Sequence, residues 1–493
     1  MKNFILIALI LATFVACAGN VIDEITVEPE KDIPQPLEYP SIYTEPVEKC
    51  INTVFEAAAT RRLQIGSLVR EDVTPYLARA LPRPAWEMVE RVPRGSAYMS
   101  RNFFDEEISV NAAIQDAEIL FHYIQNQYPG YDFFGGDEVF LPILQDLKYA
   151  LYNYGSYITR LNFSGKLFWG LRDIISDGHF AIGPWLISSD IAYFHNNQAM
   201  YDSANGYFIN RHTGETLVDA NGQDINSIMK LHLNKDGEFF YSPIFLEDTP
   251  ANYLEKIFTY KNGHRVTYTF AREQVYHRPI TYPSLTHIAG VPVVQLMRMG
   301  EVAGRHADHA TLFLDTVPKL AEEPVIVVDL RGNAGGFPGV AQSWIFLLTR
   351  QFASHNYAHI TQRRPGGYTV NSNYNIMLPR PRRIVCIDSI IIFLTDRTVV
   401  SGGESFVDLA FNMHNTLVVG TATAGVMAFS GSLYENILPH TGLTFTFGSE
   451  RFLWPEGHFA EYVGIQPDLW VYGDNALEYT LAMIARWGLQ KGS

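Results

Sequence analysis

Val325-Ile326-Val327-Val328-Asp329-Leu330-Arg331-Gly332-Asn333-Ala334-Gly335-Gly336 reads as a buried strand that runs into a glycine-rich turn. Four consecutive aliphatic β-branched residues, without polar alternation, suit a strand covered on both faces, as in a parallel sheet. The pattern recurs downstream: residues 340–348 are helical in spacing, Ile390-Ile391-Ile392-Phe393-Leu394 is a second apolar strand, 406–413 a second helix, and Leu417-Val418-Val419 a third strand. Strands alternating with helices predict an α/β domain over residues 280–488. Upstream the texture changes. Between residues 180 and 272, short strands are punctuated by turns at Asn205-Gly206, Asn221-Gly222, Asp236-Gly237 and Asn262-Gly263, which predicts a β-rich module over residues 180–275. Residues 46–179 have helical spacing; within 112–125, Ala113, Ile114, Ala117, Leu120, Phe121 and Ile124 fall on one face.

The chain start carries targeting information. Lys2 precedes an apolar run over residues 4–15, the length of a secretory leader and short of a membrane span, so the chain is expected to be exported. Phe14-Val15-Ala16-Cys17 resembles a bacterial lipobox, with Phe14 where leucine is usual; residues 1–17 then form the leader and Cys17 takes the lipid. Cleavage after Ala18 also satisfies the small-x-small rule, and would give a secreted chain instead. Residues 18–45, with Pro34, Pro36 and Pro40 among many acids, read as a tether.

Composition excludes partners. With 52 acidic against 37 basic residues and a net charge of −15 over 493 residues, nucleic acid is repelled. Three cysteines cannot build a disulfide scaffold; with Cys17 lipidated, Cys50 and Cys386 read as free thiols.

Three motifs could carry chemistry. The Gly335-Gly336 pair frees backbone N–H groups to turn outward, as an oxyanion hole requires, though a plain strand-to-helix turn would look the same. No Gly-Lys-Ser/Thr follows, so this is not a nucleotide loop. Ser401-Gly402-Gly403-Glu404 places a serine at the mouth of a helix, where the Gly402 N–H can stabilise an anion; Ser-x-x-Glu is equally a capping box. Asp177-Gly178-His179 sits at the junction of the helical and β-rich regions and offers a base. His306 and His309 lack further ligands nearby, so no metal is expected.

In this order, these pieces resemble the carboxyl-terminal processing peptidases, or tail-specific proteases, a serine peptidase family that includes the tricorn core. The matching segments are Asp177-Gly178-His179, the strand and loop to Gly336, the strand and turn to Glu404, Val418-Val419-Gly420, and Gly464-Ile465-Gln466-Pro467-Asp468. The resemblance implies a ClpP/crotonase-like catalytic core with Ser401 as nucleophile. Many members pair the serine with a lysine about 25 residues later in a Gly-Lys-Gly turn. Here that place holds Gly425-Val426-Met427, and no lysine lies between Lys319 and Lys491. The pattern is instead similar to members that look like serine-histidine-glutamate enzymes, the tricorn core and the chlamydial protease-like activity factor.

On that likeness His179 is the base, Glu461 orients it, and the N–H groups of Gly402 and Gly336 or Gly335 receive the oxyanion. His287, His414 and His458 are rival bases, and Glu461 could be an ordinary surface acid. Leu217-Val218-Asp219-Ala220-Asn221-Gly222-Gln223-Asp224-Ile225 resembles part of a PDZ module, degenerate because no Gly-Leu-Gly-Phe loop accompanies it. The resemblance thus implies a serine endopeptidase that acts on polypeptides and uses no cofactor, and the leader and Cys17 add the expectation of export to the cell envelope and a lipid anchor in a membrane. Its oligomeric state is open, a homodimer included. The alternative is a catalytically inactive peptide-binding lipoprotein on the same scaffold.

Overall fold

Helix α1 (Val47–Gln64) turns Ile51, Val54, Phe55 and Ala58 to one side, three and four residues apart, and packs them with Leu233, Val327, Leu417 and Trp487. The computed structural model describes residues 47–64, 101–300, 307–362, 374–377, 384–431 and 436–489. The leader, Cys17 and the tether of residues 18–45 lie outside the described residues. The chain divides into Met1–Glu38 and Tyr39–Ser493, and every described residue belongs to the second unit.

Helix α2 (Val110–Gln127) starts at Ser109, whose hydroxyl accepts from Ala112 N, and buries the expected face from Ala113 to Ile124. With α3 (Gly136–Tyr152) and α4 (Arg160–Leu171) it encloses an aromatic core that includes Phe180, Phe429, Phe445 and Phe447. Phe429 and its companions come from the far end of the sequence, so the helical region and the segment after Ser401 share one interior. One feature departs from the helical reading: Glu107–Ser109 pairs antiparallel with Tyr157–Thr159. Three-residue strands are too short to show a period of two.

Strands follow: β1 (Ile191–His195), a hairpin of Tyr201–Ala204 with Tyr207–Asn210, β2 (Leu217–Ala220), β3 (Met229–Leu233), β4 (Phe239–Asp248), β5 (Tyr253–Tyr260) and β6 (Arg265–Arg272). Asn205-Gly206 and Asn221-Gly222 both hold positive φ at both positions, which tight primed turns demand. Next come β7 (Ser284–Ile288), β8 (Val291–Gln295), β9 (Val325–Asp329), helix α5 (Gly339–Thr349), β10 (Ile390–Thr395), helix α6 (Gly402–Ala410), β11 (Thr416–Gly420), β12 (Leu469–Trp470) and helix α7 (Ala476–Arg486). Strands β8 to β12 are parallel, and β9 and β11 are buried at every residue, as their unbroken apolar runs predict.

The sheet does not stop at the expected boundary between module and catalytic region. Its order is β7-β8-β9-β10-β11-β12-β3-β4-β1-β6-β5-β2, continuous across a parallel pairing of Trp470 with His232. Turn signals locate hairpins; they do not reveal that residue 232 will lie beside residue 470.

The Gly464–Asp468 segment has a structural use. Asp468 Oδ2 accepts from Val418 N at 2.8 Å and from Arg62 Nη2 at 2.6 Å, with both side chains under a tenth exposed. It thereby clamps α1 to the edge of β11.

Candidate active site

Ser401 sits where the loop after β10 enters α6, with φ 53° and ψ −119°. A non-glycine residue in that conformation costs on the order of 1–3 kcal/mol and persists only when its surroundings hold it. They do. Val400 N donates to Asn333 O at 3.0 Å, Gly403 N to Val400 O at 2.9 Å, and Ser401 N to Glu404 Oε2 at 3.0 Å. The glutamate of the expected capping box reaches further than a cap. Its Oε1 accepts from Thr423 Oγ1 at 2.6 Å and Gly425 N at 2.7 Å, and its Oε2 accepts from Val426 N at 2.9 Å. Burial pushes the Glu404 carboxyl above its ordinary range against these four hydrogen bonds. Glu404 therefore staples the serine turn to residues 423–426.

Asn333, fully buried, sorts the glycines. Its Nδ2 donates to Leu296 O at 2.7 Å, and its Oδ1 accepts from Gly335 N at 2.9 Å. The Gly335 N–H is thus committed, whereas the N–H groups of Gly336 and Gly402 donate no hydrogen bond among the described residues. The two loops touch without room for side chains. A Cβ on Gly335, at φ 77°, would lie 3.0 Å from Ser401 Cβ, and one on Gly402 would lie 2.4 Å from Gly336 O. Of the three expected oxyanion donors, Gly402 and Gly336 are left open beside Ser401.

The His179 ring hydrogen-bonds the backbone of Phe429, and its Nδ1 is buried without a partner among the described residues. A carbonyl only accepts, so the ring nitrogen facing Phe429 carries the hydrogen and Nδ1 keeps its lone pair. Burial pulls the imidazole down to about 4, so it is neutral at pH 7. Asp177 Oδ1 accepts from His179 N at 2.8 Å and Oδ2 from Tyr128 Oη at 3.1 Å; burial pushes this carboxyl up to about 7. Glu461 is not a surface acid. Its Oε1 accepts from Gly178 N at 2.8 Å, and its Oε2 from Ala428 N at 2.7 Å and Met427 N at 3.2 Å. Burial and then the neighbouring Asp177 raise it well above the usual glutamate range. Glu461 grips the backbone beside His179 and makes no bond to the imidazole. Ser401 Oγ lies 3.3 Å from Ser430 Oγ, and no Ser401–His179 hydrogen bond is made among the described residues.

Among the rival bases, His287 and His414 are exposed, and His458 is engaged elsewhere. Its Nε2 lies 2.8 Å from Asp408 Oδ1 on α6, while Asp408 Oδ2 meets His355 Nδ1 at 3.0 Å and Asn356 N at 3.1 Å. Burial alone would raise the Asp408 carboxyl, but hydrogen bonds from His355 and His458 and their charges outweigh it and hold it well below the ordinary range. This brace fixes the far end of the serine helix to the loop that carries Glu461. Replacing Asp408 by alanine is expected to destabilise the fold by about 3–5 kcal/mol, because the buried His458 and the partly buried His355 lose their acceptor. Urea unfolding checks it as a lower midpoint with unchanged slope. Since the folded pKa is depressed, the stabilisation is present above the unfolded value of about 4 and vanishes as pH falls below it; the variant should lack that acid limb.

Asp408, His355, Asn333 and Ser430 had not stood out in the sequence. Asp408 lies 53 and 50 residues from its two histidines, too far for any local pattern. The available hint was an aspartate inside the mostly apolar helical run 406–413.

Residues 292–471 match the model of Peptidase family S41. No curated protein matches the sequence. Solved structures are similar at low identity. Mature CPAF complexed with lactacystin is 14% identical, covering 77% of this chain and 98% of its own, at a TM-score of 0.40. The photosystem II D1 C-terminal processing protease is 10% identical, covering 76% and 96%, at 0.37. The tricorn protease is 13% identical, covering 78% and 37%, at 0.34. Likenesses this distant assign no residue of this chain a role.

Proposed function

From a chain whose residues 292–471 carry a serine-type peptidase region of family S41, we propose an exported endopeptidase that acylates Ser401. The observation that carries this reading is the serine turn. A strained Ser401 stands at a helix mouth beside two backbone N–H groups that donate no hydrogen bond among the described residues, those of Gly402 and Gly336. A peptide carbonyl placed there would meet the nucleophile on one side and both donors on the other. His179 serves as base through its Nδ1 lone pair, and Glu461 orients it through Gly178. The parallel strands suit a ClpP/crotonase-like core, helices α1 to α4 a helical N-terminal region, and β1 to β6 a degenerate PDZ-like module. Cys17 would hold the chain to a membrane of the cell envelope through a lipid, with polypeptides as substrates.

A fluorophosphonate probe tests this directly, since it phosphonylates only an activated serine. The purified protein is expected to take one label, mapped by peptide mass to Ser401; a label on another serine, or none, would remove the assignment. The second reading, a catalytically inactive peptide-binding lipoprotein, draws on one observation: the Ser401 hydroxyl pairs with Ser430 rather than with a histidine nitrogen.

A further inference from the structure

We infer that Arg397 is a positioning residue of the catalytic site: its guanidinium sets the segment that carries Glu461, and through it His179, against the serine loop. This rests on the peptidase reading above. Arg397 lies in the loop that leads from β10 to Ser401. Its Nη1 donates to Thr423 O at 2.5 Å and to Val463 O at 2.8 Å, and its Nη2 donates to Tyr462 O at 2.8 Å. Three carbonyls from two separate loops thus converge on one planar fork, whose donors point in fixed directions. A lysine ammonium, a point donor on a flexible stem, does not reproduce that span. Tyr193 of β1 closes the cluster: its Oη donates to Val463 O at 3.2 Å, and the guanidinium carbon lies 5.5 Å from the centre of its ring.

Residues 461–463 need such a hold. Tyr462 has φ 61°, in the left-handed region, where a bulky residue stays only under constraint. Its N donates to Gly425 O at 2.6 Å, and the loops meet so closely that a Cβ on Gly425 would lie 2.7 Å from Tyr462 N. Glu461 directly precedes Tyr462, so the course of the one sets the place of the other. Glu461 in turn accepts from Gly178 N, Met427 N and Ala428 N, and Gly178 adjoins His179. Contacts therefore run from the serine loop through Arg397, residues 462–463 and Glu461 to the base. Ser401 and His179 make no hydrogen bond to each other among the described residues, so this scaffold decides how they are placed.

The oxyanion side is held separately. The residues flanking Arg397 contact the other loop: Thr398 Oγ1 accepts from Gly332 N at 2.9 Å, and Asp396 Oδ1 accepts from Thr398 N at 2.9 Å. Asn333 fixes the turn at Gly335 through its own side chain. A change at Arg397 is thus expected to misplace the base and to spare the anion donors.

The test is a double-mutant cycle that combines Arg397→Ala or Arg397→Lys with His179→Gln, read by peptide turnover and fluorophosphonate labelling rate on variants whose circular dichroism matches wild type. Alone, each Arg397 variant is expected to lower kcat and the labelling rate by about 100-fold, the scale of a displacement of about 1 Å, with KM close to wild type. In the His179→Gln background the same substitutions should cost less than about threefold, because residues that act as a unit are not additive. A purely structural role, or one exerted through the oxyanion donors, would carry its full cost into that background, so a second loss of about 100-fold there overturns the inference. So does an Arg397→Lys variant within about threefold of wild type, since the fork would then be dispensable. If Arg397→Ala does not fold, Arg397→Lys, which keeps the charge, carries the cycle by itself. A wild type that takes no label at Ser401 overturns the peptidase reading and the inference with it. A labelled wild type with a multiplicative cycle overturns the role of Arg397 alone.

Discussion

Ser401→Ala is expected to cut peptide turnover by about 10⁵- to 10⁶-fold, the scale on which serine peptidases lose rate when the nucleophile goes. What survives would come from the Gly402 and Gly336 N–H groups and from substrate positioning, which the substitution leaves in place. The fold should be indifferent. Ser401 N still donates to Glu404, Val400 N still donates to Asn333, and alanine has no more freedom at φ 53° than serine has. Progress curves on purified protein, with far-UV circular dichroism as the folding control, read the outcome. A folded variant with turnover within tenfold of wild type would mean that the nucleophile lies elsewhere.

His179→Gln should cost about 10⁴-fold in kcat with little change in KM, as losing a triad member does elsewhere. Glutamine keeps an N–H donor for Phe429 but offers no basic nitrogen. The backbone bonds that place this residue, Gly178 N to Glu461 and His179 N to Asp177, are untouched. The pH profile adds a second readout. Burial lowers the His179 pKa to about 4, so the wild-type kcat/KM should hold through pH 6.5 and fall only toward pH 4, where the base becomes protonated. An acid limb near 6.5, or a glutamine variant close to wild type, would assign the base to another group.

How much of this was legible depended on distance along the chain. The strand from Val325 to Val328 and the face from Ala113 to Ile124 announce themselves, because burial on two faces or one imprints directly on neighbouring residues. The serine turn was visible for the same reason: Ser401, Gly402 and Glu404 act within one helical turn. The destination of Glu404's second oxygen, shared between Ser401 and Val426, was not visible, nor was the grip of Glu461 on Gly178. Those bonds depend on how loops from separate strands converge, and no periodicity encodes that. The commitment of the Gly335 N–H to Asn333 belongs with them: two adjacent glycines look alike in sequence, and only backbone direction separates donor from strut.

The seam between β12 and β3 bears on where this chain can be cut. Residues 292–471 carry the serine, yet they are not a self-sufficient piece of polypeptide. Liberated alone, they would leave β12 with a bare hydrogen-bonding edge where Trp470 now adjoins His232, an invitation to aggregate. They would leave Asp468 buried without Arg62, and the serine turn without the Gly178 backbone that Glu461 holds. An excised fragment would therefore be expected to precipitate or to persist without its base, and the smallest autonomous peptidase must reach back at least to α1.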